Sequence, residues 1–385
     1  MLDLKSFFHP IDDSLFLNSD WLVTQIGTNI DFHSSKKFPD VKFCEIAILR
    51  VNEYDGSEND SFSESCKIRK ELYDLHIDNK PRICDLGDLK LAENRKESFE
   101  IIQKVIKELI YNGIIPIIIN GGQDVAYAVY KSYSELDKTI SLSVVDSSFD
   151  IGNEKDVLSN KSYLGKILNT KPNHLFHYSN IGYQSYYVSN LALEMLESLS
   201  FDALRLGDVK PAIENIEPVM RNTDFLSFDL SSIQNMFASA NFYSSPNGFS
   251  GEEACKIMRY AGISDKISCV AISEYNQNID GDSQTAKLIA QMIWYFLLGY
   301  RSRKNELNPN IKNCIKYTVS FEDGKNEIIF YKSNLSGRWW MGVPFKSLSH
   351  EELDCFYVAC SYSDYELANR GEVPERWIKT FNKLS

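Results

Sequence analysis

The chain has 385 residues, of which 43% are hydrophobic and 24% are charged, and its net charge is -12 at neutral pH. This length and composition predict a sizeable core, in one large α/β domain with an extension or in two domains. The acidic balance, without any run of basic residues, argues against nucleic acid or an anionic membrane surface as a partner.

Neither the N-terminus nor any apolar stretch indicates export or membrane insertion. The first ten residues, MLDLKSFFHP, lack the pattern of a signal peptide, and the most apolar helical stretch, residues 287–300, is too short to span a bilayer. We therefore expect a cytoplasmic protein. The eight cysteines contain no Cys-x-x-Cys pair, which predicts free or buried thiols rather than disulfides or a zinc site.

From residue 84 onward, short apolar runs alternate with helical patterns, which predicts a mostly parallel sheet covered by helices on both faces. Predicted strands cover residues 114–119, 140–145, 224–228 and 268–273. Predicted helices cover residues 98–113, 250–262 and 282–299. Ser250 and Glu253 form a capping box, Asp282 or Ser283 caps the last helix, and Pro116 is tolerated only near a strand's start or at an edge.

A polar stretch at residues 301–313 is the predicted linker between a domain of residues 1–300 and an extension of residues 314–385. In the extension we predict a β-hairpin over residues 316–333, turning at Asp323 and Gly324, followed by helices over residues 349–384 with Pro374 in a first turn. Residues 52–65 read as an exposed loop.

Three of the five tryptophans, at positions 339, 340 and 377, lie in this extension. Large aromatic side chains usually serve packing, so we expect them to dock the extension on the main domain. If they are exposed instead, together with Arg338 they would form a binding site for another protein.

In parallel α/β sheets, ligands bind beyond the carboxyl ends of the strands. The four predicted strands are followed in turn by Asn-Gly-Gly-Gln-Asp at residues 120–124, by Asp146 and Asp150, by Asp229 and by Glu274. Together these strand ends predict a convergent acidic site. The alternative is that each acid caps the helix or turn that follows it.

These stretches resemble the ureohydrolases, the family of arginase, agmatinase and formimidoylglutamase. The family motifs Gly-Gly-x-His-Asp, Asp-Ala-His-x-Asp, Ser-Phe-Asp-x-Asp and Glu-Val-Asn-Pro correspond, in the same order, to GGQD, DSSFD, SFDLSS and SEYN. RICDLGDL and SSPNGFSGEEA extend the resemblance over roughly residues 43–299. It implies an arginase-like three-layer α-β-α fold, with a small α+β extension at the C-terminus. It also implies a homo-oligomer, whose interface the extension could block or replace.

The resemblance implies a site for two manganese ions, held in the family by two histidines and four aspartates. Position by position, Asp146, Asp150 and Asp229 are retained. The remaining positions differ, with Gln123 and Ser148 in place of the histidines and Ser231 in place of an aspartate. Because a serine hydroxyl is a poor ligand for Mn²⁺, we do not expect an intact dimanganese centre.

A single weakly bound Mn²⁺, Mg²⁺ or Ca²⁺ is the alternative to a site with no metal, and its candidate ligands are Asp146, Asp150, Asp229 and Gln123. Glu274 corresponds to the arginase position that faces the substrate's guanidinium group, so it is a candidate contact for a cationic substrate. Alternatively, its carboxylate is simply satisfied by backbone donors.

Two classes of function follow. We prefer a pseudoenzyme that has lost two-manganese hydrolysis and serves as a binding, scaffolding or regulatory protein. The alternative is a hydrolase of C–N bonds in amidines or guanidines, with formimidoylglutamate as the leading substrate and a single-metal or rearranged site. The six histidines lie outside the matched motifs; His174 or His177 could act as a substitute ligand or base, although surface or packing roles are usual.

Overall fold

The structure is a computed structural model that describes residues 2–17, 20–52, 66–78, 81–153, 155–321, 326–346 and 353–384. The strands are β1 (Phe8–His9), β2 (Asp31–Phe32), β3 (Ile46–Arg50), β4 (Ile83–Leu89), β5 (Ile115–Ile119), β6 (Ile140–Val145), β7 (Leu175–Tyr183), β8 (Asp202–Arg205), β9 (Phe225–Asp229), β10 (Cys269–Ser273), β11 (Cys314–Phe321), β12 (Asn326–Ser333), β13 (Trp339–Lys346) and β14 (Leu353–Cys360). The α-helices are α1 (Ser14–Leu17), α2 (Ile26–Asn29), α3 (Lys67–Tyr73), α4 (Arg95–Tyr111), α5 (Val125–Glu135), α6 (Tyr163–Leu168), α7 (Asn190–Ser198), α8 (Leu206–Val209), α9 (Ile216–Arg221), α10 (Gly251–Ile263), α11 (Gln284–Tyr300), α12 (Tyr362–Asn369) and α13 (Glu375–Leu384). Short 3-10 helices cover Leu4–Phe7, Val41–Phe43, Lys210–Asn215, Leu230–Ser232, Gln277–Ile279 and Ile311–Asn313.

A ten-stranded sheet forms the centre of the main domain, in the order β1-β4-β3-β5-β10-β9-β6-β7-β8, with β2 also paired to β4. All its pairings are parallel except that between β1 and β4. Alternate residues of a strand face opposite sides of a sheet. Accordingly, Ile46 and Ile48 pack in a buried cluster with α3, α9, α10 and α11, whereas Ala47 and Leu49 pack with α4 to α7. The predicted three-layer α-β-α fold is confirmed.

The structure contains the predicted capping residues of α10 and α11 and places Pro116 near the start of its strand. The capping box of α10 is present, with Ser250 Oγ accepting from the Glu253 backbone N–H and the Glu253 carboxylate accepting from the Ser250 backbone. At the start of α11, Asp282 accepts a hydrogen bond from the Gln284 backbone, whereas Ser283 makes no side-chain cap. Pro116 is the second residue of β5, so its missing N–H falls near the start of a central strand.

The extension forms a four-stranded antiparallel sheet in the order β11-β12-β13-β14, followed by α12 and α13. Pairing of β11 with β12 confirms the predicted hairpin, while its turn at Asp323 and Gly324, like residues 53–65 of the predicted loop, lies outside the described residues. The helical prediction for residues 349–384 is wrong at β14. That strand contains consecutive Phe356, Tyr357 and Val358, which favour a pleated strand over a helix.

The extension packs against the main domain through buried polar contacts. Arg221 at the end of α9 donates hydrogen bonds to the carbonyl oxygens of Trp339 and Cys360, over 2.8 to 3.2 Å. Trp339 and Trp340 are themselves buried. At the far end of the extension, Lys379 of α13 forms an ion pair with Asp202 of β8 at 2.7 Å. The extension is therefore held at two separate places on the main domain.

In the predicted linker, Arg303 donates hydrogen bonds to the carbonyl oxygens of Gly262 and Ile267, so this stretch also runs against the main domain. None of the eight cysteines, all within the described ranges, forms a disulfide. No helix in the described part of the chain has the length and apolar character needed to span a bilayer.

Candidate functional site

The four strands whose ends carry the predicted acidic residues are consecutive neighbours in the sheet, in the order β5-β10-β9-β6. Their carboxyl ends are in register, since Ile119 pairs with Ile272, Ser273 with Asp229, and Phe228 with Val145. The segments that follow these strands therefore emerge side by side at the middle of one sheet edge, where α/β proteins bind ligands.

Asp146, Asp150 and Asp229 meet at this edge. One carboxylate oxygen from each lies within 4.8 Å of the others, and the residues are only 0%, 6% and 1% exposed. Three buried carboxylates this close repel one another unless protons or positive charge neutralise them. We call these three residues the aspartate cluster.

Gln123 joins the cluster from the segment after β5. Its side-chain Nε2 donates a hydrogen bond to Asp146 Oδ2 at 3.0 Å. The oxygen of the same amide group, Oε1, is buried and has no hydrogen-bond partner among the described residues, and the same is true of Asp150 Oδ2. Buried polar atoms are normally satisfied, so these two oxygens have unused capacity to bind a cation or a donor.

Ser148 and Ser231 act as hydrogen-bond donors to the cluster. Ser148 Oγ donates to Asp150 Oδ1 at 2.8 Å, and Ser231 Oγ donates to Asp146 Oδ1 at 3.3 Å. Their backbone N–H groups donate to Asp146 and Asp229, respectively. The two serines, which stand where the family motifs have a histidine and an aspartate, thus supply neutral hydrogen-bond donors to the three carboxylates.

Lys161 supplies a positive charge that the sequence did not reveal. Its Nζ lies 3.3 Å from Asp150 Oδ1, and it also lies 4.6 Å from the centroid of the Tyr243 ring. Lys161 belongs to the loop between β6 and α6, outside every family motif quoted above. No periodicity or spacing in that loop indicates that one of its lysines turns back to the strand end.

The pKa values of the cluster reflect burial and mutual repulsion. Burial, together with the charges of Asp150 and Asp229, raises the pKa of Asp146 well above its usual range. Burial also raises the pKa of Asp229 to about 6, against the opposing effect of Lys161. Burial disfavours the charged form of Lys161, yet the three aspartates raise its pKa above the ordinary value. At neutral pH Lys161 therefore carries its positive charge, while the raised pKa values of Asp146 and Asp229 make these two carboxylates hold protons more readily than usual.

Glu274 borders the cluster after β10. Its Oε1 accepts hydrogen bonds from the Gln123 backbone N–H at 2.8 Å and from the Asn160 side-chain amide at 3.3 Å. Burial, reinforced by the charge of Asp229, raises the pKa of Glu274 to about 8. Glu274 thus has one backbone donor and one side-chain donor, and its two predicted roles, contact for a cationic substrate or carboxylate satisfied by backbone donors, both stay predictions.

Left-handed backbone conformations occur beside three of the strands. Asn120, Asp150 and Glu274 have φ values of 73°, 49° and 68°. Such conformations cost roughly 1 kcal/mol or more for residues other than glycine, and they often occur at functional sites. Asn and Asp tolerate this conformation because their short side chains can bond to the local backbone, whereas the longer side chain of Glu274 lacks that support. The conformation of Glu274 sets the direction in which its carboxylate projects.

Two other groups singled out by sequence reasoning do not belong to the aspartate cluster. Asp124, the last residue of the segment after β5, forms an ion pair with Arg95 of α4. His177 lies near the start of β7, at the opposite edge of the sheet, and its Nε2 contacts Asp202 at 2.9 Å. His174 precedes the same strand and lies 3.9 Å from Asp137.

The donor set does not fit two manganese ions. Ser148 and Ser231 present hydroxyl groups that already donate to aspartates, and Lys161 places an ammonium on Asp150. The set does fit one hard cation, because the three aspartates and the unpartnered Gln123 oxygen are all oxygen ligands.

Comparisons with known proteins agree with this architecture. The arginase family model matches residues 61–299. The chain is 28% identical to formimidoylglutamase of Staphylococcus aureus over 296 residues, covering 75% of this chain and 84% of that protein. It is 25% identical to formimidoylglutamase of Staphylococcus haemolyticus over 307 residues, with the same coverage.

Known structures share the fold at low sequence identity. Formimidoylglutamase of Bacillus subtilis superimposes with a TM-score of 0.63 at 18% identity, covering 74% of this chain and 96% of that one. Formiminoglutamase of Trypanosoma cruzi, determined with Mn²⁺, superimposes with a TM-score of 0.61 at 17% identity, covering 68% and 95%.

Proposed function

This chain belongs to the arginase family, and we propose that it hydrolyses a C–N bond in a linear amidine or guanidine compound with the help of one divalent cation. The observation that carries the proposal is the buried aspartate cluster with the unpartnered oxygens of Gln123 and Asp150. Formimidoylglutamate is the first candidate substrate, because curated relatives named formimidoylglutamase match three quarters of the chain.

Hydrolysis of such a compound adds water to the amidine carbon and breaks the bond from that carbon to the substituted nitrogen. A bound divalent cation would lower the pKa of the attacking water. Asp146, Asp150, Asp229 and Gln123 would hold that cation. The proton lost by the water must reach the leaving nitrogen, which departs as an amine.

Glu274 would orient the substrate. In the structure its carboxyl group has a raised pKa and accepts a hydrogen bond from Asn160. An amidinium group in place of the Asn160 amide would provide both N–H donors and a positive charge, which would favour the ionised form of Glu274. Charge complementarity of this kind selects amidines and guanidines over neutral amides.

A second candidate function is a binding, scaffolding or regulatory role without hydrolysis. It is favoured by the hydroxyl groups of Ser148 and Ser231 and by the ammonium of Lys161, all of which satisfy the aspartates without a metal. A protein partner of the extension would meet the exposed side chains of Tyr362 and Ile378, because Trp339 and Trp340 are occupied in packing. A homo-oligomer stays a prediction under either function.

One assay distinguishes the hydrolase from the non-hydrolytic role. Protein loaded with Mn²⁺, Mg²⁺ or Ca²⁺ is incubated with formimidoylglutamate, and the release of glutamate is measured. We expect metal-dependent release that Asp146→Asn abolishes and that the exposed control Asp137→Asn leaves unchanged. Absence of hydrolysis with all three metals would reject formimidoylglutamate as the substrate and would favour the non-hydrolytic role.

A further inference from the structure

Asn160 and Lys161 lie at the tip of a turn that covers the aspartate cluster and Glu274. The turn is fixed by buried Ser162, whose hydroxyl accepts from the Ser159 backbone N–H at 3.0 Å and donates to the Val157 carbonyl at 2.7 Å. Because a buried hydroxyl bonds to the backbone at two points of this turn, the side chains of Asn160 and Lys161 at its tip are held in a defined direction.

Lys161 reaches the cluster from the solvent side. Its side chain is 48% exposed, whereas that of its partner Asp150 is 2% exposed. The Tyr243 ring lies 4.6 Å from the ammonium and offers it a favourable aromatic face. Lys161 thus has two independent contacts that hold its charge on a buried carboxylate.

The ammonium and a divalent cation cannot share this position. Both need the oxygens of Asp150, and two positive charges in contact with the same carboxylate repel each other strongly in the low effective dielectric of a protein. Among the ion pairs of the described residues, Lys161 is also the cation that pairs directly with the cluster. Its charge therefore already balances part of the charge that a metal would neutralise.

We infer that Lys161 is the resident cation of the aspartate cluster, and that a divalent cation binds there only when the Lys161 ammonium leaves Asp150. The inference rests on the proposed function only for the location of the cation site. The Lys161 charge balances part of the negative charge of the three buried aspartates, which makes Lys161 a determinant of metal affinity.

The turn that carries Lys161 also contacts Glu274. Asn160, adjacent to Lys161, donates to Glu274 Oε1 at 3.3 Å and to the Tyr243 hydroxyl at 3.4 Å. Through these two consecutive residues, the same turn contacts both Glu274 and the aspartate cluster.

The direct test compares Mn²⁺ affinity of the full-length protein with that of Lys161→Met, by isothermal titration calorimetry. Lys155→Met, an exposed lysine of the same loop, is the matched control. We expect Lys161→Met to bind Mn²⁺ at least about tenfold more tightly than the native protein, and Lys155→Met to differ less than about twofold. Equal affinity in native protein and Lys161→Met, or no binding by either, would overturn the inference.

A second measurement uses the native chain, in case Lys161→Met does not fold. Acetic anhydride labels exposed lysines, and peptide mass spectrometry reports labelling at each one. Saturating Mn²⁺ is expected to raise labelling of Lys161 several-fold and to leave Lys155 unchanged. Unchanged labelling of Lys161 at full metal occupancy would show that the ammonium stays in place. Neither measurement depends on hydrolysis. If Lys161→Met binds Mn²⁺ more tightly than the native protein but neither protein hydrolyses formimidoylglutamate, that compound is rejected as the substrate and this inference stands.

Discussion

The Gln123 side-chain amide donates a hydrogen bond to the Asp146 carboxylate over 3.0 Å, at a position where the family motif has a metal-binding histidine. The same amide keeps its oxygen buried and unpartnered. Gln123 therefore connects to the aspartate cluster through one atom and retains another that suits a hard cation.

Replacement of Gln123 by Met keeps the length of the side chain but removes both the donor and the oxygen. We expect the affinity for Mn²⁺ to fall by about tenfold, because the cation loses one ligand and Asp146 loses its orienting hydrogen bond. Calorimetric titration measures the change, with Gln291→Met on the exposed face of α11 as the control. Unchanged affinity would place Gln123 outside the cation site.

Restoring the family ligands should restore a second metal. The triple variant Gln123→His, Ser148→His and Ser231→Asp replaces neutral donors by two imidazoles and a carboxylate, so we expect it to bind about two Mn²⁺ per chain. We also expect it to hydrolyse formimidoylglutamate at least about tenfold faster than the native chain, since a second metal further stabilises the reacting groups. A native chain that already hydrolyses this substrate as fast as the triple variant would contradict the role assigned to these substitutions.

Glu274 should make stability depend on pH. Its pKa is raised from 4.5 to about 8 in the folded protein, so the folded state holds this proton more tightly than the unfolded chain does. The stabilisation is complete below pH 4.5 and is lost as the pH rises from there to about 8, with a slope of at most about 1.4 kcal/mol per pH unit.

Urea unfolding at several pH values between 5 and 8 measures this dependence. Glu274→Gln keeps the acceptor for the Gln123 N–H but cannot titrate, so it should flatten the slope. The exposed Glu252→Gln is the control and should keep the native slope. Identical slopes in all three proteins would mean that Glu274 titrates like an ordinary exposed carboxylate.

Arg221 should be a main anchor of the extension. It is buried, and it donates to the carbonyl oxygens of Trp339 and Cys360 while pairing with Glu217 at 2.8 Å. Arg221→Met leaves those acceptors and Glu217 without their donor, which should lower the free energy of unfolding by roughly 2–4 kcal/mol. Urea unfolding measures it, with exposed Arg259→Met as control. A loss no larger than that of the control would mean that other contacts hold the extension.

Much of this site followed from local sequence. Asp146, Asp150 and Asp229 could be brought together because each follows an apolar run that forms a buried strand, and parallel strands end at one sheet edge. The spacing of the family motifs then indicated that Gln123, Ser148 and Ser231 stand at positions where the family has an imidazole or a carboxylate. These inferences depend on short-range patterns that a single sequence displays.

Lys161 could not be inferred in the same way. It reaches Asp150 through the path of a loop braced by Ser162, and loop paths are set by tertiary contacts rather than by periodicity. The strand β14 was missed for a related reason, because its antiparallel pairing with β13 decides its conformation. Sequence patterns located the carboxylates but not their counter-ion.

The number of metal ions per chain is the most direct test of a site built for one cation. Native protein titrated with Mn²⁺ and analysed by native mass spectrometry should bind about one ion per chain at saturation, and Asp229→Asn should bind it far more weakly. Occupancy near two ions per native chain would contradict the one-cation site, because Gln123, Ser148 and Ser231 would then complete a dimanganese centre after all.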